Sequence, residues 1–275
     1  MKCFHFIPAD KPKYYSNPLV VSSNILLDFE DGIDIKNAHR ALQIFQEHQH
    51  LLPEQFFVRL NPDLDPIIDM ALANLINPCV NIGLVLPKIR TINDIDRYSS
   101  LYKIRSKKII ILIEDFYSFE DLKIIASNYK NIEGVGLGLE DILASLVVSD
   151  EELKGFVSYI KQRFVFDCLS LGLVKIAPIS KFTSDIPGFA QICLTDRCLG
   201  FDGKFSIHPE QIKQINTIFR VDKTDYDWAI SIKEKTDNFE NSGYRIIGGS
   251  LITPPMIKKA KNILLHKEKE YEQFQ

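Results

Sequence analysis

The chain has 275 residues, 45% of them hydrophobic and 25% charged, with a formal net charge of −3. This is the composition of an ordinary globular protein with a large buried core, and the weak negative charge argues against a nucleic-acid or membrane-surface partner. The five cysteines (Cys3, Cys79, Cys168, Cys193, Cys198) are odd in number and form no CxxC pair, which favours a reduced, cytoplasmic protein without structural zinc. The apolar stretch over 3–8 is too short for a signal peptide or a membrane helix.

In chain order, short apolar runs alternate with stretches of helical spacing. Strands are expected over 3–7 and 24–29, the second ending in Asp28-Phe29-Glu30-Asp31, followed by a helix over 35–51. A strand over 56–60 carries Arg59 and Asn61 at its end, a helix spans 63–76, and a strand over 81–86 ends Pro87-Lys88. Thr91 opens a helix to about 101, the fifth strand covers 108–113, and Ser118, with Asp121 three residues on, is the expected cap of the next helix. The sixth strand covers 132–139. A helical region follows from 150 to 171, broken at Gly172, and the seventh strand, over 173–179, ends Ser180-Lys181. The eighth strand is short, over 203–207. Beyond it lie a helix over 221–239, an irregular turn through Gly243, Gly248 and Gly249, and a helix over 254–271.

Eight strands separated by helices predict a closed parallel TIM-like (β/α)8 barrel over 1–220, with 221–275 as a C-terminal helical cap or intersubunit arm. The barrel has a chemical consequence: it brings Asp28, Glu30, Arg59, Lys88, Glu114, Asp141 and Lys181 to one rim, which an open doubly wound sheet would split into two halves.

Two runs end on acids: residues 109–113 lead into Glu114, and residues 135–139 into Glu140-Asp141. Carboxylates held close on rigid strand ends repel one another unless a cation or a proton intervenes, and a hard divalent ion such as Mg²⁺ suits them. Glu140 is a secondary candidate, and either acid could instead cap the following helix. Arg59 can clamp a substrate carboxylate or stabilise an enolate oxygen; its alternative is a rim salt bridge to Asp28 or Glu30. Asp28 and Glu30, two apart in a strand, would point the same way and support a metal-bound water or Arg59. This donor set suits a 2-oxo acid and a carbon–carbon bond made or broken through an enolate.

Gly134, Gly136 and Gly138 alternate along a strand instead of spelling a dinucleotide-binding turn, so they leave space for a ligand or for close packing. His208-Pro209 reads as a helix start. His5, His39, His48, His50 and His266 show no metal spacing.

The order of these motifs resembles the citrate lyase beta subunit family of HpcH/HpaI aldolases. Asp28-Phe29-Glu30-Asp31-Gly32-Ile33, with Lys36 and Arg40, is similar to its DLEDAV and KxxxR; Val58-Arg59-Leu60-Asn61 to VRVN; Leu86-Pro87-Lys88 to LPK. Leu112-Ile113-Glu114 resembles LIET, Gly138-Leu139-Glu140-Asp141-Ile142 resembles GxEDL, and residues 200–204 with Ile207-His208-Pro209 resemble GFDGKxxIHP. The resemblance implies a TIM-like barrel and Mg²⁺ on Glu114 and Asp141. It also implies a substrate contact from Arg59, trimeric assembly, and lyase or Claisen-type chemistry, commonly on coenzyme A thioesters.

The chain departs from that pattern in places. Asp115 stands where a threonine usually follows the metal-binding glutamate, and bulky Phe116 and Tyr117 replace small residues, which is expected to crowd the acyl pocket. Thr253 replaces an aspartate that serves proton transfer or thioester hydrolysis in several relatives, and a threonine is no base near neutral pH. The expectation is a Mg²⁺-dependent lyase or aldolase on a 2-oxo or 3-hydroxy acid or its CoA thioester. Arg59, Asp28 and Glu30 would be catalytic, with Arg59, Lys88 and Gly138 on the substrate. The alternatives are a non-catalytic relative that binds a small acid or a partner, and an aldolase on substrates without CoA.

Overall fold

The structure is a computed structural model that describes residues 2–149, 152–181, 185–236, 244–247 and 249–272. Eight parallel strands close into a barrel in sequence order: β1 (Cys3–Pro8), β2 (Asn24–Asp28), β3 (Phe56–Arg59), β4 (Ile82–Leu86), β5 (Ile109–Ile113), β6 (Ile132–Leu137), β7 (Val174–Ala177) and β8 (Gly203–Ser206). β8 pairs back onto β1, with Phe4 opposite Phe205, which closes the ring.

Helices fill every connection: α1 (Pro18–Val21), α2 (Ala38–His48), α3 (Pro66–Ile76), α4 (Ile92–Ser99), α5 (Phe116–Asn128), α6 (Leu139–Ala144) with α7 (Lys154–Leu169), and α8 (Ile186–Leu199), while α9 (Pro209–Ile218) follows β8. The chain divides into two compact units, Lys2–Phe219 and Arg220–Gln275. The second contains α10 (Lys223–Lys235), an antiparallel hairpin of β9 (Arg245–Ile247) and β10 (Ser250–Ile252), and α11 (Pro254–Glu272). Ala229, Ile232, Ile252, Ile257 and Ala260 form its core. Among the described residues no helix is long and apolar enough to cross a membrane.

Strand alternation sorts the barrel's residues into two apolar clusters. Ile25, Leu27, Val58, Leu84, Ile109, Ile111, Val135 and Leu137 face outward and meet the helices. Phe4, Leu26, Val85, Ile110, Leu112, Ile176 and Phe205 fill the interior. The same two-residue period carries the inward face on to Asp28, Arg59, Glu114 and Gly138 at the C-terminal ends.

Inward glycines make that interior possible. A Cβ on Gly136 would lie 2.2 Å from the Phe205 ring, and one on Gly83 would lie 2.4 Å from the Phe57 ring. β4 and β6 give up side chains so that phenylalanines from β3 and β8 can cross the barrel.

Several boundaries differ from the sequence expectation for local reasons. Asp115, not Ser118, caps α5: its Oδ1 accepts hydrogen bonds from Ser118 N at 2.9 Å and from Ser118 Oγ at 2.8 Å. The expected sixth strand ends at Leu137, because Gly138 turns the chain and Leu139 already belongs to α6. The Gly-rich turn is a hairpin, with Gly249 at φ 78° in its turn; Gly243 and Gly248 lie outside the described residues, as do 150–151 and 237–239 of the expected helices. His208 caps α9, its ring nitrogen accepting from Glu210 N at 3.3 Å.

Two buried polar networks brace the outer wall. Lys204 of β8 is fully buried and donates to Asp196 Oδ2 at 2.7 Å and to Pro178 O at 2.5 Å, while Lys161 donates to Asp196 Oδ1 at 2.7 Å. Burial pushes the Lys204 ammonium down, and Asp196 opposes that shift. His5 lies against Ser206 Oγ at 2.9 Å, and burial lowers its pKa to about 4, so it is neutral near pH 7.

The glycine argument predicts that Gly136→Ala destabilises the barrel by about 1–3 kcal/mol in urea unfolding. Phe205→Leu in the same chain should recover part of that loss; an unchanged midpoint for the single variant would refute the packing account.

Candidate active site

A cavity of about 300 Å³ opens at the C-terminal end of the barrel. Asp28, Asp31, Arg59, Glu114, Glu140 and Asp141 supply its polar wall. Phe6, Leu112, Leu137, Ile179, Phe205 and Ile207 supply its apolar side.

Arg59 is the centre of the charge network. Asp28 and Arg59 are register partners across β2 and β3. The side-on pairing is bidentate, with Nε 2.7 Å from Asp28 Oδ1 and Nη2 2.6 Å from Asp28 Oδ2. Nη1 donates to Asp31 Oδ2 at 3.1 Å and lies 2.9 Å from Glu30 Oε2, an ion pair without hydrogen-bond geometry. The guanidinium carbon sits 4.8 Å from the centroid of the Phe6 ring. Burial works against the charge of Arg59, but Asp28, Glu30 and Asp31 outweigh it and hold the proton more firmly than usual. The rim salt bridge is thus present, and the bidentate clamp of Arg59 is spent on Asp28.

Glu30 does not share a strand with Asp28. β2 ends at Asp28, and Glu30 returns to Arg59 through a turn in which its N–H donates to Asp28 Oδ1 at 2.9 Å. Gly32 is required there, since a Cβ would lie 2.6 Å from Asp28 Oδ2. Burial raises the Glu30 pKa to about 7; Arg59 opposes the rise and Asp31 adds to it.

Glu114 follows the last residue of β5 and accepts from the Lys88 backbone N–H at 2.7 Å. Its pKa rises to about 7, first by burial and then by the charges of Glu30 and Asp141, against the Lys88 hydrogen bond and Arg59. Gly138 makes room for it, because a Cβ there would lie 2.5 Å from Glu114 Cγ. Asp141, in the first turn of α6, is also raised, by burial and by Asp31. Glu140 pairs with Lys181.

Lys88 has φ 53°, the one positive value at a described non-glycine residue. Its ammonium lies 3.2 Å from Glu30 Oε1 and 3.4 Å from Asp63 Oδ2. It does not line the cavity, so its ammonium serves the acids around the site. Phe116 and Tyr117 do not line the cavity either. Both are exposed, Phe116 in ring contact with Phe156, so neither crowds this cavity.

Glu114 and Asp141 present hard oxygen donors to the cavity, and burial, with the charges of neighbouring acids, pushes both toward the protonated form. Among the described residues no group of three or more His, Cys, Asp or Glu side chains is arranged to hold a metal ion. The chain thus offers a two-carboxylate seat, which fits an ion that keeps water and substrate among its ligands. Thr253 belongs to the second unit, where its carbonyl accepts from Ile257 N at the start of α11.

The model of the HpcH/HpaI aldolase/citrate lyase family matches residues 2–209. The chain belongs to that family. It is similar to citrate lyase subunit beta of Haemophilus influenzae, 25% identical over 94% of each chain. It is also similar to mitochondrial citramalyl-CoA lyase of Homo sapiens, 23% identical over 94% of this chain and 82% of the relative. Among solved structures, CitE of Mycobacterium tuberculosis in complex with magnesium, acetoacetate and coenzyme A has a TM-score of 0.74 at 18% identity, covering 97% of this chain and 98% of that one. A citrate lyase of Burkholderia xenovorans has a TM-score of 0.81 at 17% identity, covering 98% and 92%. These two structures share the barrel fold.

Asp31 belongs to the motif that drew attention to Asp28 and Glu30, but its contact with Arg59 needs the folded turn to appear. Arg90 had no signal of its own: its Nε donates to Asp115 Oδ2, a contact between residues 25 positions apart. Burial works against the Asp115 charge, but the Ser118 hydrogen bonds and Arg90 outweigh it and hold the carboxyl below its usual range.

Glu30 and Glu114 bind a proton more firmly in the folded chain than an ordinary glutamate, whose pKa is 4.5. Their contribution to stability is therefore complete below about pH 4.5 and lost as pH rises through about 7. With a chelator present, Glu114→Gln should flatten the fall of the melting temperature between about pH 5 and pH 8 by roughly 5 °C. Parallel curves for the variant and the wild type would contradict the raised Glu114 pKa.

Proposed function

We propose that this chain is a Mg²⁺-dependent carbon–carbon lyase or aldolase acting on a 2-oxo or 3-hydroxy acid or its CoA thioester. The observation that carries the reading is the pair Glu114 and Asp141, both raised in pKa and both lining the cavity beside Arg59. Further support comes from family membership and from related proteins named as citrate lyase and citramalyl-CoA lyase. CitE of Mycobacterium tuberculosis has been solved with magnesium and oxaloacetate, with magnesium and pyruvate, and with magnesium, acetoacetate and coenzyme A.

Glu114 and Asp141 would hold the cation, which when bound supplies Lewis-acid polarisation of a substrate carbonyl. The rest falls to the chain's own side chains. Asp28 fixes the plane of Arg59, and with Glu30 and Asp31 also on the guanidinium, Arg59 acts as an oriented positive charge beside the cavity. It steadies negative charge that develops on a carbonyl oxygen as the bond breaks or forms. Lys88 keeps Glu114 in place through its backbone N–H and Glu30 through its ammonium. Phe6, Phe205 and Ile207 supply an apolar lining.

We propose a homo-oligomer, a trimer by resemblance to the family. Thr253 supports a second reading, in which the chain binds a small acid without turnover.

Purified protein should cleave a 3-hydroxy acid or its CoA thioester only with Mg²⁺, and Glu114→Ala should lose that activity. Asp141→Ala should show no Mg²⁺ binding in calorimetry while melting near the wild-type temperature. Retained Mg²⁺ affinity would overturn the metal assignment; Mg²⁺ binding without cleavage of any such acid or thioester would favour the second reading.

A further inference from the structure

Glu114 and Asp115 are consecutive, and each accepts a hydrogen bond from the loop joining β4 to α4. Lys88 N donates to Glu114 Oε2 at 2.7 Å, and Arg90 Nε donates to Asp115 Oδ2. The donors are alternate residues of one loop, and the acceptors are neighbours on the next.

We propose that Arg90 and Asp115 are positioning residues, a clasp that holds the Lys88 N–H on Glu114 and so presets that carboxylate for the cation. The inference rests on the reading of Glu114 as a Mg²⁺ ligand.

The loop is fixed on both sides of Lys88. Upstream, Val85 O of β4 accepts from Leu60 N, just past β3, at 3.1 Å. Downstream, Ile89 is fully buried, and Asp94 of α4 accepts from Arg90 N at 3.0 Å and from Thr91 N at 2.8 Å. Lys88 itself has φ 53°, a conformation a side chain bearing a Cβ adopts only when its surroundings hold it there. The side-chain link from Arg90 to Asp115 is the contact that ties this loop to the β5 rim one residue beyond Glu114. Without it, Lys88 can relax toward negative φ, and its N–H leaves Glu114.

The clasp also accounts for the residue at 115. A threonine could cap α5, since its hydroxyl accepts from the Ser118 N–H as the Asp115 carboxylate does. It could not at the same time accept a charge-assisted bond from Arg90. Aspartate divides its two oxygens between the tasks, Oδ1 to Ser118 and Oδ2 to Arg90.

That division makes the test specific. Asp115→Thr keeps the helix cap and removes the clasp, and Arg90→Ala removes it from the other side at a side chain that is 64% exposed. Each should weaken Mg²⁺ binding about tenfold in calorimetry, the scale seen when a group orienting a metal ligand is lost. The double variant Arg90→Ala with Asp115→Thr should be no weaker than either single, because both break one contact. Affinity for a 2-oxo acid at saturating Mg²⁺, and the melting temperature, should stay near wild type. Wild-type Mg²⁺ affinity in either single variant, or additive losses in the double, would sink the clasp while leaving the proposed function standing. If the wild-type protein itself takes up no Mg²⁺, the proposed function falls and the clasp falls with it.

Discussion

A guanidinium buried at the mouth of a barrel must be neutralised on the spot, and the register of β2 against β3 meets that demand. Asp28 and Arg59 are Cα partners across the two strands, so the bidentate pair forms between backbones already fixed by the ladder. Removing Arg59 would leave the buried Asp28 carboxylate without its counter-charge, a cost of about 3–5 kcal/mol. Much of the site's organisation follows from this pair. Asp28 receives the Glu30 N–H, the turn through Gly32 folds back over it, and Glu30 and Asp31 converge on the same guanidinium.

The interior below the site depends on a second constraint, the volume available inside eight strands. Phe4, Phe57 and Phe205 are too large for a ring in which every strand carries a side chain at each level, and inward glycines on β4 and β6 absorb the excess. Gly138 continues the same row to the rim, where it admits Glu114. Of the glycines alternating along β6, Gly136 thus serves packing and Gly138 site geometry.

The barrel could be read from the chain because buried parallel strands leave a simple trace: short apolar runs ending in polar residues, with helical spacing between them. The two-residue period then carried Asp28, Arg59 and Glu114 to a common rim without knowledge of any contact. Three-dimensional pairing was harder to reach. Asp28, Glu30 and Asp31 are near-equal partners for Arg59 on paper, and the register and the turn are what give Asp28 the bidentate role. Leu139 extended an apolar run and read as strand, although Gly138 had already turned the chain into α6. Ser118 had the look of a cap because the true cap, Asp115, lay inside an acidic pair whose other member drew the chemistry. Lys204 in β8 had no signature at all, since a strand lysine reads as solvent-exposed until Asp196 is placed behind it.

The site and the frame divide the cost of ionisation between them. On the outer wall, the buried Asp196 already has two cationic partners, the fully buried Lys204 and the partly buried Lys161. In the cavity the balance is left open: Glu30, Glu114 and Asp141 are all pushed toward the protonated form, with Arg59 already committed to Asp28. Glu114 is raised to about 7 first by burial and then by the charges of Glu30 and Asp141, a cost that a bound divalent cation would offset. Repulsion alone would also turn the carboxylates away from one another. The Lys88 N–H holds Glu114 against that, over the space that Gly138 leaves open.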